Sequence, residues 1–281
     1  MSNPLQDARA ALAALGTLPD SEIDIGQAAL QLARVDALEA DWRAGAEHLT
    51  ALARAAVNAA AADKEADAGD VARRRAVLAQ VIHGQFGYAG DEETYEDMAN
   101  ANLLRVMERR RGLPVALGIL WLHAAEAAGW EAHGVDFPGH FLIALAGRGQ
   151  VVVDVFAGGH AMDARDLRAT LKRFAGEQAE LGPSSLARMD KRAVLLRLQN
   201  NIKVRRLRGG DLAGAVACTE DMLRIAPDAA PLWREAGLMH QRLDQIGAAI
   251  AALENFLKLV PEGPQAARVK GLLEELRQRL N

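Results

Sequence analysis

Two side chains in the middle of this 281-residue chain, His140 and Asp154, have the types and the spacing for acid–base chemistry. His140 opens an apolar run, Phe141 to Leu145, and Asp154 lies inside the next, Val151 to Phe156. Gly147-Arg148-Gly149 stands between the runs and reads as a hairpin turn. With the turn centred on Arg148, residues whose numbers sum to about 296 face each other, so Asp154 lies opposite Leu142 and diagonal to His140. Diagonal neighbours sit about 7–8 Å apart at the backbone, within side-chain reach. A slip of one residue would send the two to opposite faces. An aspartate that orients a histidine is the arrangement used to activate a nucleophile. The bland alternative is a strand-end histidine that bonds Asp154 and does nothing more.

The nucleophile is the missing part. A thiol at a helix N-terminus, where the dipole favours thiolate, would be the natural partner. The helix opening at Pro114 is placed for that role, yet Pro114, Val115, Ala116 and Leu117 are not nucleophiles. The one cysteine, Cys218, lies far downstream among helices and reads as a small core residue. A lone cysteine forms no intrachain disulfide and fits a reducing compartment. His133 and His160 flank the pair, but their spacing matches no metal-ligand motif, so neither a metal nor a cofactor is expected.

The elements that must position these residues are mostly helical. Half of the residues are hydrophobic and only 4% aromatic, an alanine-rich texture that favours helix. Gln27 to Leu38 and Trp42 to about Ala60 each carry one apolar stripe. Ala59 to Gly69 reads as a fraying end and a linker. Asp70 is placed to N-cap a helix running to about Phe86. The polar stretch Gly84 to Asn102, with its acidic cluster Asp91 to Glu96, reads as an ordered loop with a short helical turn. Leu103 to Arg110 is helical, Gly112 interrupts, and Pro114 suits the first position of a helix to Ala128. That helix is apolar nearly all round and should be buried. Residues 132–156 hold short β-branched runs, which predict three or four antiparallel strands. Asp163 to Phe174 returns to helix, and Gly176 to Pro183 reads as a linker.

From Asp190 the pattern repeats. Ala215 recurs as Ala249, Leu223 as Leu257 and Pro227 as Pro261, each 34 residues on. That period is the tetratricopeptide signature. Trp233, Gly237, Ala249, Leu253, Phe256 and Pro261 fit its packing positions. The preceding unit is degenerate, with Lys203 and Arg206 at a glycine and an aromatic position. Gly263-Pro264 starts a last helix that would cap the stack. The expected divisions are a helical region 1–69, an α+β core 70–182 and helical repeats 183–281.

The net charge of −4 argues against a nucleic-acid footprint. Arg109-Arg110-Arg111 is the densest basic run and leaves room for a local anion site. No apolar stretch reaches the length of a membrane span, and Met1 to Leu15 lacks a leader pattern, so the expectation is a cytoplasmic protein.

Three separated blocks resemble a known family. They are Val106-Met107-Glu108-Arg109-Arg110-Arg111-Gly112-Leu113-Pro114, then Pro138-Gly139-His140-Phe141-Leu142, then Val153-Asp154-Val155-Phe156 with Gly158-Gly159. In order and content they resemble the transglutaminase-like core of bacterial proteins of the SirB (invasion-regulator-like) type. Those proteins join that core to an N-terminal helical region and C-terminal tetratricopeptide repeats. The resemblance implies an α+β fold, mostly helical, with a small antiparallel sheet in a transglutaminase-like (papain-like) core, then an all-α repeat. In active relatives a cysteine opens the core helix, and the histidine and aspartate come from adjacent strands. His140 and Asp154 take the last two roles, and Pro114 lies where the cysteine should be. Glu108 and Arg111 read either as a solvated helix end or, with Gly139 and Pro114, as lining of the same cleft. On the second reading Arg111 lines the cleft or pairs with an acidic residue inside it.

Two functions are compatible with this. One is a non-catalytic interaction protein whose repeats hold a protein or peptide partner. The alternative is a hydrolase or transferase with His140 as base, Asp154 fixing its tautomer, and water or a substrate group as nucleophile. An open cleft reaching His140 keeps the second alive; an imidazole buried under Trp121 or Phe156 removes it.

Overall fold

The computed structural model describes residues 3–280. The chain divides into two compact units, residues 3–8 with 19–198 and residues 9–18 with 199–280. It is mostly helical with one small antiparallel sheet.

Helix α1 (Pro4–Gly16) is divided between the units after residue 8, and the first unit continues with α2 (Ile25–Asp36), α3 (Trp42–Ala62), α4 (Lys64–Asp67) and α5 (Val71–Ala79). From α2 on, each begins on an aspartate whose carboxylate accepts the first free amides: Asp24 from Gln27, Asp41 from Arg43 and Ala44, Asp63 from Glu65 and Ala66, Asp70 from Ala72 and Arg73. Residues 59–69 are therefore more ordered than expected. Asp63 ends α3 and caps α4, which is pinned by the buried Ala66. A π-helical turn, Gln80–Gln85, carries α5 onward. α6 (Leu103–Arg109) ends at Arg110, whose φ of 57° is left-handed. Arg111–Gly112 (β2) then pairs in parallel with Ala89–Gly90 (β1).

Helix α7 (Pro114–Ala127) is the centre of this unit. Val115, Leu117, Ile119, Leu120 and Trp121 are all buried, as its apolar circumference requires. Its Gly118 lies so close to Phe141 that a Cβ would come 2.2 Å from the ring. Beside it runs a five-stranded antiparallel sheet in the order β6-β5-β4-β3-β7. The strands are β3 (Ala132–Phe137), β4 (His140–Gly147), β5 (Gly149–Asp154), β6 (His160–Met162) and β7 (Ala187–Met189). The five strands exceed the expected three or four; β6 and β7, which lie outside residues 132–156, are each three residues long and carry no β-branched run. The amphipathic α8 (Ala164–Ala175) starts in a capping box of Asp163 and Asp166. It covers the sheet by packing Leu167 and Leu171 on Val135, Phe137, Leu142 and Ala144. The first turns of α9 (Lys191–Arg208) complete the unit.

The second unit holds the rest of α9 with α10 (Leu212–Ile225), α11 (Ala230–Arg242), α12 (Ile246–Leu259) and α13 (Pro264–Leu280). α12 starts and ends 34 residues after α10, and α13 starts 34 residues after α11. Ala249, Leu253 and Phe256 pack with Val269, Leu273 and Leu276 into one core. Lys203, at the degenerate glycine position, is 5% exposed and donates to Glu235 at 2.5 Å. Asp221 is 1% exposed and is paired by Arg9 at 3.0 Å and by Arg224 at 2.7 Å. Among the described residues no helix is long and apolar enough to cross a membrane.

Candidate functional site

The hairpin places His140 and Asp154 as the turn requires. Gly147 faces Gly149 and Ile143 faces Val153, the register centred on Arg148. The two side chains share a face and meet, with His140 Nε2 lying 3.1 Å from Asp154 Oδ2. The other carboxylate oxygen accepts from the Phe156 amide at 2.9 Å and the Ala157 amide at 3.2 Å. Burial pushes the Asp154 carboxyl up, but the His140 hydrogen bond and charge, with the two amides, outweigh it and hold it below the usual carboxylate range. The ionised carboxylate only accepts, so Nε2 carries the proton of that bond and Nδ1 is the ring's remaining nitrogen.

Nδ1 has no outlet. Nδ1 is buried and makes no hydrogen bond, and the residue is 7% exposed. The Phe174 ring, from the last turn of α8, lies over the imidazole at 5.4 Å between centroids and 10° between planes. Phe156 meets the imidazole edge-on at 6.5 Å, and Tyr95 meets Phe156 in turn at 5.9 Å. Gly139 makes the close cover possible: its φ is +72°, and a Cβ there would come 2.5 Å from the Cβ of Phe174. From the backbone side, Arg197 donates to the His140 carbonyl at 2.6 Å and pairs with Asp136 at 2.5 Å.

The other expected residues go to different places. Pro114 is buried at the first position of α7. Glu108 is exposed and pairs with Arg105 at 2.9 Å, an ordinary helix-surface bridge. Arg111 is exposed on β2; the pairing with an acid expected of it is made by Arg109, which donates to Asp91 at 2.9 Å. Arg109 is still on α6, whereas Arg111 follows the left-handed turn at Arg110 and lies on β2. His160 lies opposite Asp154 in the sheet, but its imidazole bonds Asp166. Cys218 is buried in the second unit and donates to the Gln199 carbonyl. Among the described residues no three His, Cys, Asp or Glu side chains converge to hold a metal ion.

Two networks were not foreseen. Asp91, read as part of an acidic cluster in an ordered loop, is 5% exposed and anchors that loop. It accepts from the Thr94 hydroxyl at 2.6 Å, the Thr94 amide at 2.8 Å and Arg109. The Thr94 hydroxyl, ahead of the opposing burial, with the Thr94 amide, Asn100 and Arg109, holds its carboxyl at about 2. The only hint in the sequence is the Asp-x-x-Thr spacing of an Asx-type turn. The second joins His48, Tyr88 and Arg110, three residues too far apart in sequence for any periodicity to link them.

Comparison with known proteins agrees with this architecture. Residues 43–200 match the transglutaminase-like superfamily, and residues 202–274 match the tetratricopeptide repeat. A UPF0162 protein of Xylella fastidiosa is 30% identical over 175 residues, 60% of this chain and 62% of the relative. A UPF0162 protein of Vibrio cholerae is 31% identical over 166 residues, 58% of this chain and 61% of the relative. The match thus spans about three fifths of the length of these relatives. F-box only protein 21 of Mus musculus is 32% identical over 63 residues, 22% of this chain and 10% of that protein. With a core of five antiparallel strands, a buried central helix and a bonded histidine–aspartate pair, followed by helical repeats, the chain belongs to the transglutaminase-like superfamily.

Proposed function

We propose that this protein is a non-catalytic interaction protein, in which the transglutaminase-like core has become a folded platform and the repeats take a protein or peptide partner. The observation that carries this reading is Pro114. It fills the first position of the buried α7, where its fixed φ serves the helix and its ring supplies no nucleophile. The single cysteine lies in the other unit, buried and bonded to a carbonyl. The sealed imidazole adds support, since a general base must come within hydrogen-bond reach of the proton it takes.

On the repeat side, Leu207 of α9 and Leu238 of α11 remain 38% and 40% exposed on the first helices of successive hairpins. First helices line the inner surface of such arrays, so these two suit a partner's apolar side chains. The test is affinity capture with the full chain, followed by titration of the recovered partner as purified protein. Leu238→Glu should weaken that binding at least tenfold, and His140→Gln should leave it unchanged. Binding that survives Leu238→Glu together with Leu207→Glu but fails in His140→Gln would overturn the reading.

The hydrolase alternative keeps one favourable observation: the 3.1 Å His140–Asp154 bond with Nδ1 unpartnered has the polarity of a general base. It requires that Phe174 move aside.

A further inference from the structure

The basic run Arg109-Arg110-Arg111 is not used by the candidate site, and its middle residue is unusual. Arg110 ends α6 in the left-handed conformation, φ 57°, a position that glycine normally takes. A non-glycine residue persists in that conformation only where the surrounding structure holds it, which directs attention to its side chain.

The guanidinium is fixed from one side. Nη1 donates to His48 Nε2 at 2.6 Å and to the Tyr88 hydroxyl at 2.7 Å, and the group sits 4.9 Å above the Tyr88 ring. The Tyr88 hydroxyl also lies 2.8 Å from His48 Nε2. A guanidinium only donates, so Nε2 is the bare nitrogen of the imidazole and His48 is neutral. Burial first, then the charge of Arg110, hold the His48 imidazole at about 4. Burial pushes the Tyr88 phenol to about 12, so it too is uncharged. Both partners of the cation are therefore neutral near pH 7.

The neighbouring arginines differ. Arg105 pairs with Glu39 and Glu108, and Arg109 with Asp91 and Asp97. Arg110 pairs with no carboxylate among the described residues, although it is half-buried. Among the described residues both of its hydrogen bonds use Nη1, which leaves the Nε/Nη2 edge free. That edge carries two parallel N–H groups and matches two oxygens of a carboxylate or phosphate.

We propose that Arg110, braced by His48 and Tyr88, is an oxyanion-binding site that takes a phosphate or carboxylate group on its Nε/Nη2 edge. The brace holds the fork in one geometry before the ligand arrives, so little side-chain entropy is lost on binding. The site stands whether or not the His140 pair has any activity.

The test is a titration of the full chain with inorganic phosphate, followed by proton–nitrogen NMR of the arginine Nε–H groups, with chloride holding ionic strength constant. A parallel titration uses acetate. The expected result is one arginine Nε–H whose shift saturates, together with a saturating shift of the His48 ring. Arg110→Gly suits the left-handed position and should fold, yet lose the response, with affinity at least tenfold weaker. Arg110→Lys keeps the charge but not the fork and should also weaken it. Arg111→Ala should bind as the wild type does. Stronger response to phosphate than to acetate assigns a phosphoryl ligand, and the reverse assigns a carboxylate; either supports the site. A linear, chloride-like response in the wild type, or undiminished phosphate binding by Arg110→Gly, overturns it.

Discussion

Phe174 lies nearly parallel over the imidazole of His140, 5.4 Å away between ring centroids, while Asp154 holds the same ring from its edge. Phe174 is itself 44% exposed, so a surface side chain is what separates the pair from solvent. Replacing it with alanine should uncover His140 at modest cost. Buried Phe→Ala changes cost about 3–5 kcal/mol, and a half-exposed ring should cost about 1–2 kcal/mol. In Phe174→Ala, mass spectrometry should find His140 modified by diethyl pyrocarbonate at least tenfold faster than in the wild type. An unchanged rate would show that something else seals the imidazole.

Asp91 ties its loop to α6 through Arg109, and its carboxyl is held at about 2. Its folded value lies below the ordinary 3.8, so the stabilisation is complete above about pH 4 and is lost as pH falls towards 2. Hydrogen bonds to charged groups contribute about 1.5–3 kcal/mol. Arg109 is 32% exposed, and solvent screening there lowers the figure to about 1–2 kcal/mol. Asp91→Asn should lose that much in urea denaturation at pH 7, and the gap from wild type should close between pH 4 and pH 2. A gap independent of pH would mean that the charge is not what holds the loop.

His48 gives stability the opposite kind of group but the same direction with pH. Its folded value of about 4 lies below the ordinary 6.5, so the unfolded chain takes up a proton first as pH falls. Stability from this residue is complete above about pH 6.5 and declines down to about pH 4. The residue is only half-buried, so after screening the loss should be about 1–2 kcal/mol. Denaturation curves at pH 7.5 and pH 5 should show it in the wild type, and His48→Gln should remove that part of the decline. Equal declines in both proteins would place the titrating group elsewhere.

How much of this was legible in the sequence differs from one feature to the next. The His140–Asp154 register was readable because two glycines flank Arg148 and pin the turn, and a period of two then assigns the faces. The repeat was readable because one packing solution recurs every 34 residues. The absent nucleophile needed only the identity of Pro114. The cover on the imidazole was not readable: Phe174 ends an amphipathic helix, and nothing local says that its ring reaches back to β4. Asp91 looked like one more carboxylate in an acidic loop, since burial of a charge shows only when its partners Thr94 and Arg109 are in place. The sequence does not separate Arg109 from Arg111, because a left-handed arginine at position 110 leaves no mark in it.

The central claim is that the histidine–aspartate pair does no chemistry. Its most direct test is a rate: hydrolysis and acyl transfer on a panel of activated esters and glutamine-containing peptides, measured for the wild type and for His140→Gln at pH 7.5. The account predicts wild-type rates indistinguishable from those of His140→Gln and of buffer. A wild-type rate at least tenfold above both, abolished by His140→Gln while the fold is kept, would contradict it.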